Sequence, residues 1–93
     1  MKILGIEHIG IAVNSIDAPF WKHILNLPHL GTEAVENQGV TTDIYDTGHG
    51  KVELLEAMDS DTPIGKFLEN RGAGLHHVCF EVEDINKVIK ELK

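Results

Sequence analysis

Two histidines occupy equivalent positions in two similar stretches of this 93-residue chain. His8 lies in segment 7–13 (EHIGIAV), and His77 lies in segment 76–82 (HHVCFEV). In both segments apolar residues alternate with small or polar ones, which is typical of a β-strand with one buried face. An internal repeat of this kind predicts two copies of one module, each of which brings a histidine to a shared site.

A glutamate on another predicted strand has the orientation needed to join these histidines. In segment 51–56 Val52 and Leu54 share one face, so Glu53 lies on the opposite face. Imidazole nitrogens and carboxylate oxygens are suitable ligands for zinc, cobalt, nickel or manganese. The pattern therefore predicts a divalent metal site formed by His8, Glu53 and His77, with the identity of the metal left open.

Other potential ligands in the chain have simpler interpretations. A single histidine on a strand is more often structural or solvated than a ligand, so the repeat is what favours His8 and His77. Strand alternation predicts that His76 points away from His77 and serves packing. His29 lies in a predicted turn and is expected to face solvent. Cys79 is expected to act as a small buried apolar residue.

Composition limits the classes of function. The net charge of −7 argues against nucleic-acid binding, which needs a basic surface. Apolar residues make up 42% of the chain, as in globular proteins, and no apolar run is long enough to span a membrane. The amino terminus has no signal-peptide pattern, and the single cysteine is compatible with a reducing compartment, so a cytoplasmic location is expected.

The hydrophobic pattern predicts an α+β fold in one domain, residues 1–93. Segment 1–58 is predicted to form a βαβββ module, 59–72 a linker helix, and 73–93 the start of a second module of which only β and α are present. The predicted strands are 3–13, 32–35, 40–45, 51–56 and 75–82, and the predicted helices are 16–27, a helix beginning at Asp61 or Thr62 with Pro63 inside, and a helix after Asp84. Because the second module lacks its last three strands, the chain is expected to be part of a longer protein.

This arrangement resembles the vicinal oxygen chelate superfamily, which is built from paired βαβββ modules and includes glyoxalase I and extradiol dioxygenases. Within that superfamily, the local motifs are similar to those of methylmalonyl-CoA epimerases. The similarity covers nearly the whole chain, and its most specific combination is a Lys-Val-Glu-Leu-Leu-Glu strand, a Thr-Pro-Ile-Gly-Lys-Phe-Leu helix and a Gly-Leu-His-His strand. The segments that carry it are 6–13, 28–29, 33–36, 39–40, 51–57, 61–69 and 71–85.

The resemblance implies a function and a set of site residues. It implies a metal held by His8, Glu53 and His77, with a fourth carboxylate beyond Lys93, the last residue of this chain. The implied reaction interconverts (R)- and (S)-methylmalonyl-CoA by 1,1-proton transfer through an enolate, which a divalent cation stabilises. Two bases are required, and Asp43 is the candidate for one of them. The second base is expected beyond Lys93.

The resemblance also implies the partners of the chain. An acyl-CoA substrate carries phosphates, for which Lys66 and Arg71 are the candidate contacts, and a homodimer is expected. Two alternative functions are a glyoxalase I-like lyase on the same scaffold and a metal-free small-molecule binding protein. A chain that lacks half of its second module is also expected to be inactive alone, or to complete its sheet by pairing with another copy.

Overall fold

A computed structural model describes residues 2–16 and 20–92, and within them the expected α+β architecture is present. The strands are β1 (Ile3–Val13), β2 (His29–Val35), β3 (Val40–Asp46), β4 (Lys51–Ala57) and β5 (Gly74–Val82), and the helices are α1 (Pro63–Arg71) and α2 (Ile85–Leu92). A π-helical turn spans Phe20–Ile24, and a short 3₁₀ turn spans Glu36–Gln38.

The five strands form one sheet in the order β2-β3-β4-β1-β5. β1 pairs in parallel with β4 and antiparallel with β5, while β3 pairs antiparallel with both β2 and β4. β1 therefore lies between the strand that carries Glu53 and the strand that carries His77. This topology brings the two repeat strands next to each other, as the shared-site interpretation requires.

The core is divided between the two faces of the sheet. On one face Tyr45, Val52 and Leu54 are buried, together with apolar residues of β1 and of the π-helical segment. The residues packed against them are Ile9, Ile11, Val13, Ile16, Trp21 and Leu27. On the other face Ile64 of α1 is buried against the sheet. The buried apolar stripe of β1 is thus confirmed, and Trp21 packs against the same face of the sheet.

Helix α1 begins as its sequence predicts. Thr62 is the N-cap residue, and its side-chain oxygen accepts a hydrogen bond from the backbone N–H of Gly65 at 3.0 Å, with Pro63 in the first turn. Gly65 also permits close packing, because a Cβ there would lie 2.4 Å from the carbonyl oxygen of Asp59. The helix is therefore held tightly over the sheet face opposite Trp21.

The helix predicted over residues 16–27 is shorter and wider than expected. Residues 17–19, including Pro19, lie outside the described ranges, and the next five residues form a π-helical turn in which Leu25 N–H bonds to the Phe20 carbonyl. The wider turn changes which residues share a face. Phe20 and Ile24 are exposed, whereas Ile16 and Leu27 pack against the core.

Two strands also differ from their predicted form. β2 begins at His29 instead of residue 32, so His29 belongs to a strand and not to a turn. On β5 the apolar residues Val78 and Phe80 are exposed, although the repeat predicted that they would be core. β5 is an edge strand of the sheet, and the Trp21 side of the core covers β1, β3 and β4.

Candidate metal centre

The three predicted ligands surround Gly10 on β1, the strand between β4 and the edge strand β5. In the strand register Gly10 pairs with Glu53 of β4 on one side and with His77 of β5 on the other. His8 precedes Gly10 by two residues and shares its face. A Cβ atom on Gly10 would lie 2.2 Å from Cε1 of His77, so the His77 ring occupies the space that a larger residue would fill.

The donor atoms of these three side chains, which together are called the metal group, converge. His8 Nε2 lies 3.1 Å from His77 Nε2 and 3.3 Å from an oxygen of Glu53. The side chains of His8 and Glu53 are only 17% and 20% exposed, so the group is sheltered from solvent. The prediction that these residues lie on one face, opposite the apolar stripe of β1, is confirmed.

The donor set fits a divalent transition-metal ion. Two imidazole nitrogens bound to one zinc-sized ion at about 2.0–2.1 Å each would lie roughly 3 Å apart, which is close to the separation of the two Nε2 atoms. A carboxylate oxygen completes a set that zinc, cobalt, nickel and manganese all accept. His8, His77 and Glu53 are therefore the residues that would hold the ion.

Glu7 is a second carboxylate beside His8, and sequence reasoning missed it. Its Oε1 lies 2.8 Å from His8 Nδ1, and its Oε2 lies 3.5 Å from Lys51 Nζ. The hydrogen bond with His8, helped by Lys51, lowers the pKa of Glu7. Glu7, His8 and Glu53 each offer one donor atom within 4.8 Å of the others. Glu7 contacts Nδ1, however, whereas Glu53 and His77 both lie beside Nε2.

His76 does not point away from His77, which corrects the sequence-based interpretation. Gly10 pairs with His77, but the next residue of β1, Ile11, pairs with Leu75, so His76 is an extra residue in a β-bulge. The bulge breaks the alternation and brings the two imidazoles together, with their Nδ1 atoms 2.8 Å apart. Burial lowers the pKa of His77, and the neighbouring His8 and His76 lower it further.

The space above Gly10 and Ala12 is filled by other side chains. His77 lies against Gly10, and Ala12 is fully buried in the core cluster with Val40, Leu55 and Ile64. Helix α1 therefore covers the sheet directly beyond the metal group. The small residues at positions 10 and 12 therefore serve close packing and the placement of the His77 ring.

Asp43 lies on the opposite face of the sheet from the metal group. Its β4 partner is Leu54, whereas Glu53 pairs with Ile44. The Asp43 carboxylate is 5% exposed and accepts hydrogen bonds from Thr32, Tyr45 and His29. Burial alone would raise the pKa of Asp43, but these hydrogen bonds outweigh it and lower the pKa. The structure thus does not bring Asp43 to the site where a base was expected.

The second base and the fourth metal ligand are both predicted beyond Lys93. Lys93 itself lies outside the described residues, which end in α2 at residue 92. Both groups therefore stay predictions. Within the described part of the chain, the predicted members of the metal group that meet are His8, Glu53 and His77.

The two predicted phosphate contacts both lie on α1. Lys66 and Arg71 are exposed, and α1 packs on the sheet face that carries Glu53. The ring of Phe67, also in α1, contacts His76 at a centroid distance of 5.0 Å. The helix therefore touches the metal group through His76, and the contact of its cations with phosphates stays a prediction.

Comparison with known proteins places the chain in a family. The sequence model of the glyoxalase/bleomycin resistance protein/dioxygenase superfamily matches residues 7–93. The chain belongs to this superfamily, and the fold seen here is that of its structurally characterised members. No helix within the described ranges has the length and apolar character to cross a membrane.

Similar proteins include methylmalonyl-CoA epimerases. The human mitochondrial methylmalonyl-CoA epimerase is 35% identical over 91 residues, which cover 95% of this chain and 52% of that protein. An uncharacterized protein of Bacillus subtilis is 40% identical over 89 residues, covering 94% of this chain and 64% of the relative. The chain thus spans about half to two thirds of the length of these relatives.

A solved structure has the same fold over nearly all of this chain. It is a variant of the Streptomyces coelicolor methylmalonyl-CoA epimerase in complex with 2-nitronate-propionyl-CoA. The TM-score is 0.84 at 30% identity, and the match covers 98% of this chain and 69% of that structure. The similarity therefore extends from β1 to α2.

Proposed function

We propose that this chain forms the metal-binding part of an epimerase that interconverts (R)- and (S)-methylmalonyl-CoA by 1,1-proton transfer. The observation that carries the proposal is the convergence of His8 Nε2, His77 Nε2 and a Glu53 oxygen beside Gly10. The similarity to methylmalonyl-CoA epimerases supports the choice of substrate. Residues 1–58 would then be the first module and residues 73–93 the start of the second, and the two would share one ion.

The proposed reaction removes a proton from the carbon between a thioester and a carboxylate and returns it to the opposite face. A divalent cation, when bound, stabilises the negative charge that develops on the thioester oxygen. His8, His77 and Glu53 would fix the position of that charge in the sheet. Their partial burial excludes much of the competing water and strengthens the electrostatic effect.

The acyl-CoA would lie across the sheet face that carries the metal group. Helix α1 borders this face, and its exposed Lys66 and Arg71 provide positive charge for the phosphates. This placement supports the assignment of these two residues as coenzyme A contacts in a chain with a net charge of −7.

Metal binding, followed by substrate binding, tests the proposal. Isothermal titration of the metal-free chain with Zn²⁺, Co²⁺, Ni²⁺ and Mn²⁺ should show one binding site, which His8→Ala and His77→Ala each remove. The metal-loaded chain should bind methylmalonyl-CoA more tightly than the metal-free chain. His23→Ala, in the exposed part of the π-helical turn, is the matched histidine control and should change neither result.

Two other outcomes would favour the alternative functions. Binding of the hemithioacetal of methylglyoxal in preference to methylmalonyl-CoA would indicate a glyoxalase-like lyase. Acyl-CoA binding that is unchanged by His8→Ala and by metal removal would indicate a metal-free binding protein. Incorporation of solvent deuterium into methylmalonyl-CoA, measured separately, tests whether this chain alone also carries out proton transfer.

A further inference from the structure

We propose that Glu7 and His76 are positioning residues that hold the two metal-binding histidines by their Nδ1 atoms. Each residue directly precedes the histidine that it contacts, Glu7 before His8 and His76 before His77. In both cases the Nε2 atom is left facing the shared point between the strands. The inference rests on the proposed metal site.

Both contacts depend on an irregularity of the strand. Adjacent residues in a regular strand point to opposite faces and cannot bond side chain to side chain. In β1, Ile6 pairs with Phe80 and His8 pairs with Cys79, so Glu7 is the extra residue. In β5, His76 is the extra residue between the partners of Gly10 and Ile11. A β-bulge re-aims the side chain next to it, and here each bulge brings a partner to a histidine.

The partner of His8 determines which nitrogen can bind a metal. An ionised carboxylate only accepts hydrogen bonds, so the 2.8 Å contact requires that His8 Nδ1 carries the hydrogen. In a neutral imidazole the lone pair is then on Nε2, the atom beside His77 and Glu53. Lys51 restrains the Glu7 carboxylate from its other oxygen.

His76 contacts Nδ1 of His77 as Glu7 contacts Nδ1 of His8, but it does so with an imidazole nitrogen instead of a carboxylate oxygen. With an ion bound, His77 Nε2 is used as a ligand, so its Nδ1 carries the hydrogen and donates it to Nδ1 of His76 across 2.8 Å. His76 then carries its own hydrogen on Nε2. Its ring is held by Phe67 of α1, so the helix that borders the site also supports the orientation of His77.

Metal affinity tests both positions. Outer partners of this kind typically change metal affinity about 10–100-fold, and we expect Glu7→Ala and His76→Ala each to weaken Co²⁺ and Zn²⁺ binding by that factor. Glu7→Gln and His76→Gln keep an amide oxygen that accepts from Nδ1–H and should restore most of the affinity. Glu83→Ala and His23→Ala, at exposed positions, are the matched controls. Wild-type affinity in both alanine variants would overturn the inference.

A direct-ligand role of Glu7 gives a different pattern. Since Glu7 and Glu53 both lie near His8, an ion could be bound by these three residues without His77. In that case His77→Ala would leave the affinity unchanged and Glu7→Gln would lose it, which contradicts the positioning role.

A second measurement needs no metal. Nitrogen NMR of the labelled imidazoles in the metal-free chain should show His8 as the Nδ1–H tautomer, and Glu7→Ala should shift it toward the Nε2–H tautomer. His8 already in the Nε2–H form in the wild type would contradict the inference. If the chain binds no metal but this tautomer shift occurs, the proposed function fails while the role of Glu7 is retained. Thermal melts of each variant confirm that it is folded.

Discussion

The two faces of the sheet each hold a histidine beside a carboxylate, but the balance of donors and acceptors differs. On the Trp21 face the Asp43 carboxylate accepts from three donors, His29, Thr32 and Tyr45. On the opposite face the Glu53 carboxylate and the Nε2 lone pair of His8 are both acceptors and lie 3.3 Å apart. The hydrogen bonds of the first cluster are satisfied within the cluster, whereas the second offers acceptor atoms to which the proposed cation would bind.

The two environments are reached from adjacent positions of the same pair of strands, β3 and β4. Asp43 pairs with Leu54 of β4, and the next residue, Ile44, pairs with Glu53. Because side chains alternate along a strand, a shift of one residue moves a carboxylate from a closed structural network to the metal face. A buried acid is therefore a candidate for chemistry only where hydrogen-bond donors do not already saturate it.

The largest predicted effect is on the metal face. Gly10→Ala places a Cβ 2.2 Å from the His77 ring, which must move away from His8. Because even outer-shell changes cost about 10–100-fold in affinity, we expect displacement of a ligand to weaken metal binding by about 100-fold or more, as measured by competition with a chelator.

A double variant tests the cause of that loss. In a His77→Ala background the ring is absent, so adding Gly10→Ala should produce no further loss of metal affinity and little change in the unfolding temperature. Strong metal binding by Gly10→Ala alone would show that the His77 ring is not placed as the ligand arrangement requires.

The second-largest predicted effect is on the sheet face that packs against Trp21. Here a substitution should lower stability and leave metal affinity nearly unchanged. Asp43→Ala removes the acceptor of the Tyr45 hydroxyl, and Tyr45 is only 2% exposed, so water cannot replace it. An unpaired buried donor costs about 1–3 kcal/mol, and we expect the free energy of unfolding in urea to fall by that amount. Metal affinity should stay within about twofold of the wild type. A loss of metal affinity without loss of stability would reverse the roles assigned to the two faces.

The metal group could be predicted from sequence because it depends on strand alternation. The repeat identifies His8 and His77, and the pattern around Glu53 places it on the correct face. Parallel pairing of β1 with β4 then brings these residues together. The cap at Thr62 was also predictable, because Thr-Pro before an apolar stripe is a local signal.

The bulges could not be predicted in the same way. A bulge arises from pairing with another strand, and alternation within His76-His77 gives no sign of it. One signal was available, because Glu7 and His76 occupy equivalent places in the repeat and both are polar. The role of Asp43 was missed because strand β2 begins at His29, which extends the pairing with β3 and brings a donor to the carboxylate.

A pH titration sharpens the description of the closed network. Burial, and then the hydrogen bond to Asp43, raise the pKa of Tyr45 from 10.0 to about 12. A folded pKa above the unfolded value stabilises the fold fully below pH 10, and this contribution is lost as the pH rises through about 12. Tyr45 is the only tyrosine, so near-ultraviolet tyrosinate absorbance reports it directly.

The Asp43→Asn variant separates the two causes of that shift. Burial remains when the charge is removed, so the pKa of Tyr45 should fall from about 12 but stay above 10. The metal-free and metal-loaded chains should give the same titration curve, since Tyr45 is on the other face of the sheet. Titration near pH 10 in the folded wild type would contradict the buried hydrogen bond.

The smallest predicted effect is on acyl-CoA affinity, and it compares cations on the two faces of the sheet. Lys66 and Arg71 lie on the helix that borders the metal face, whereas Lys22 belongs to the π-helical turn on the Trp21 side. Exposed charge contacts contribute about 0.2–1 kcal/mol each, so we expect Lys66→Ala and Arg71→Ala each to weaken acyl-CoA binding by roughly 1.5- to 5-fold. Lys22→Ala removes the same charge from the overall field and should not weaken binding.

Because salt screens such contacts, the difference between Lys66→Ala and Lys22→Ala should shrink as ionic strength rises. An equal effect of all three variants would mean that net charge, and not the position of α1 beside the metal group, governs affinity.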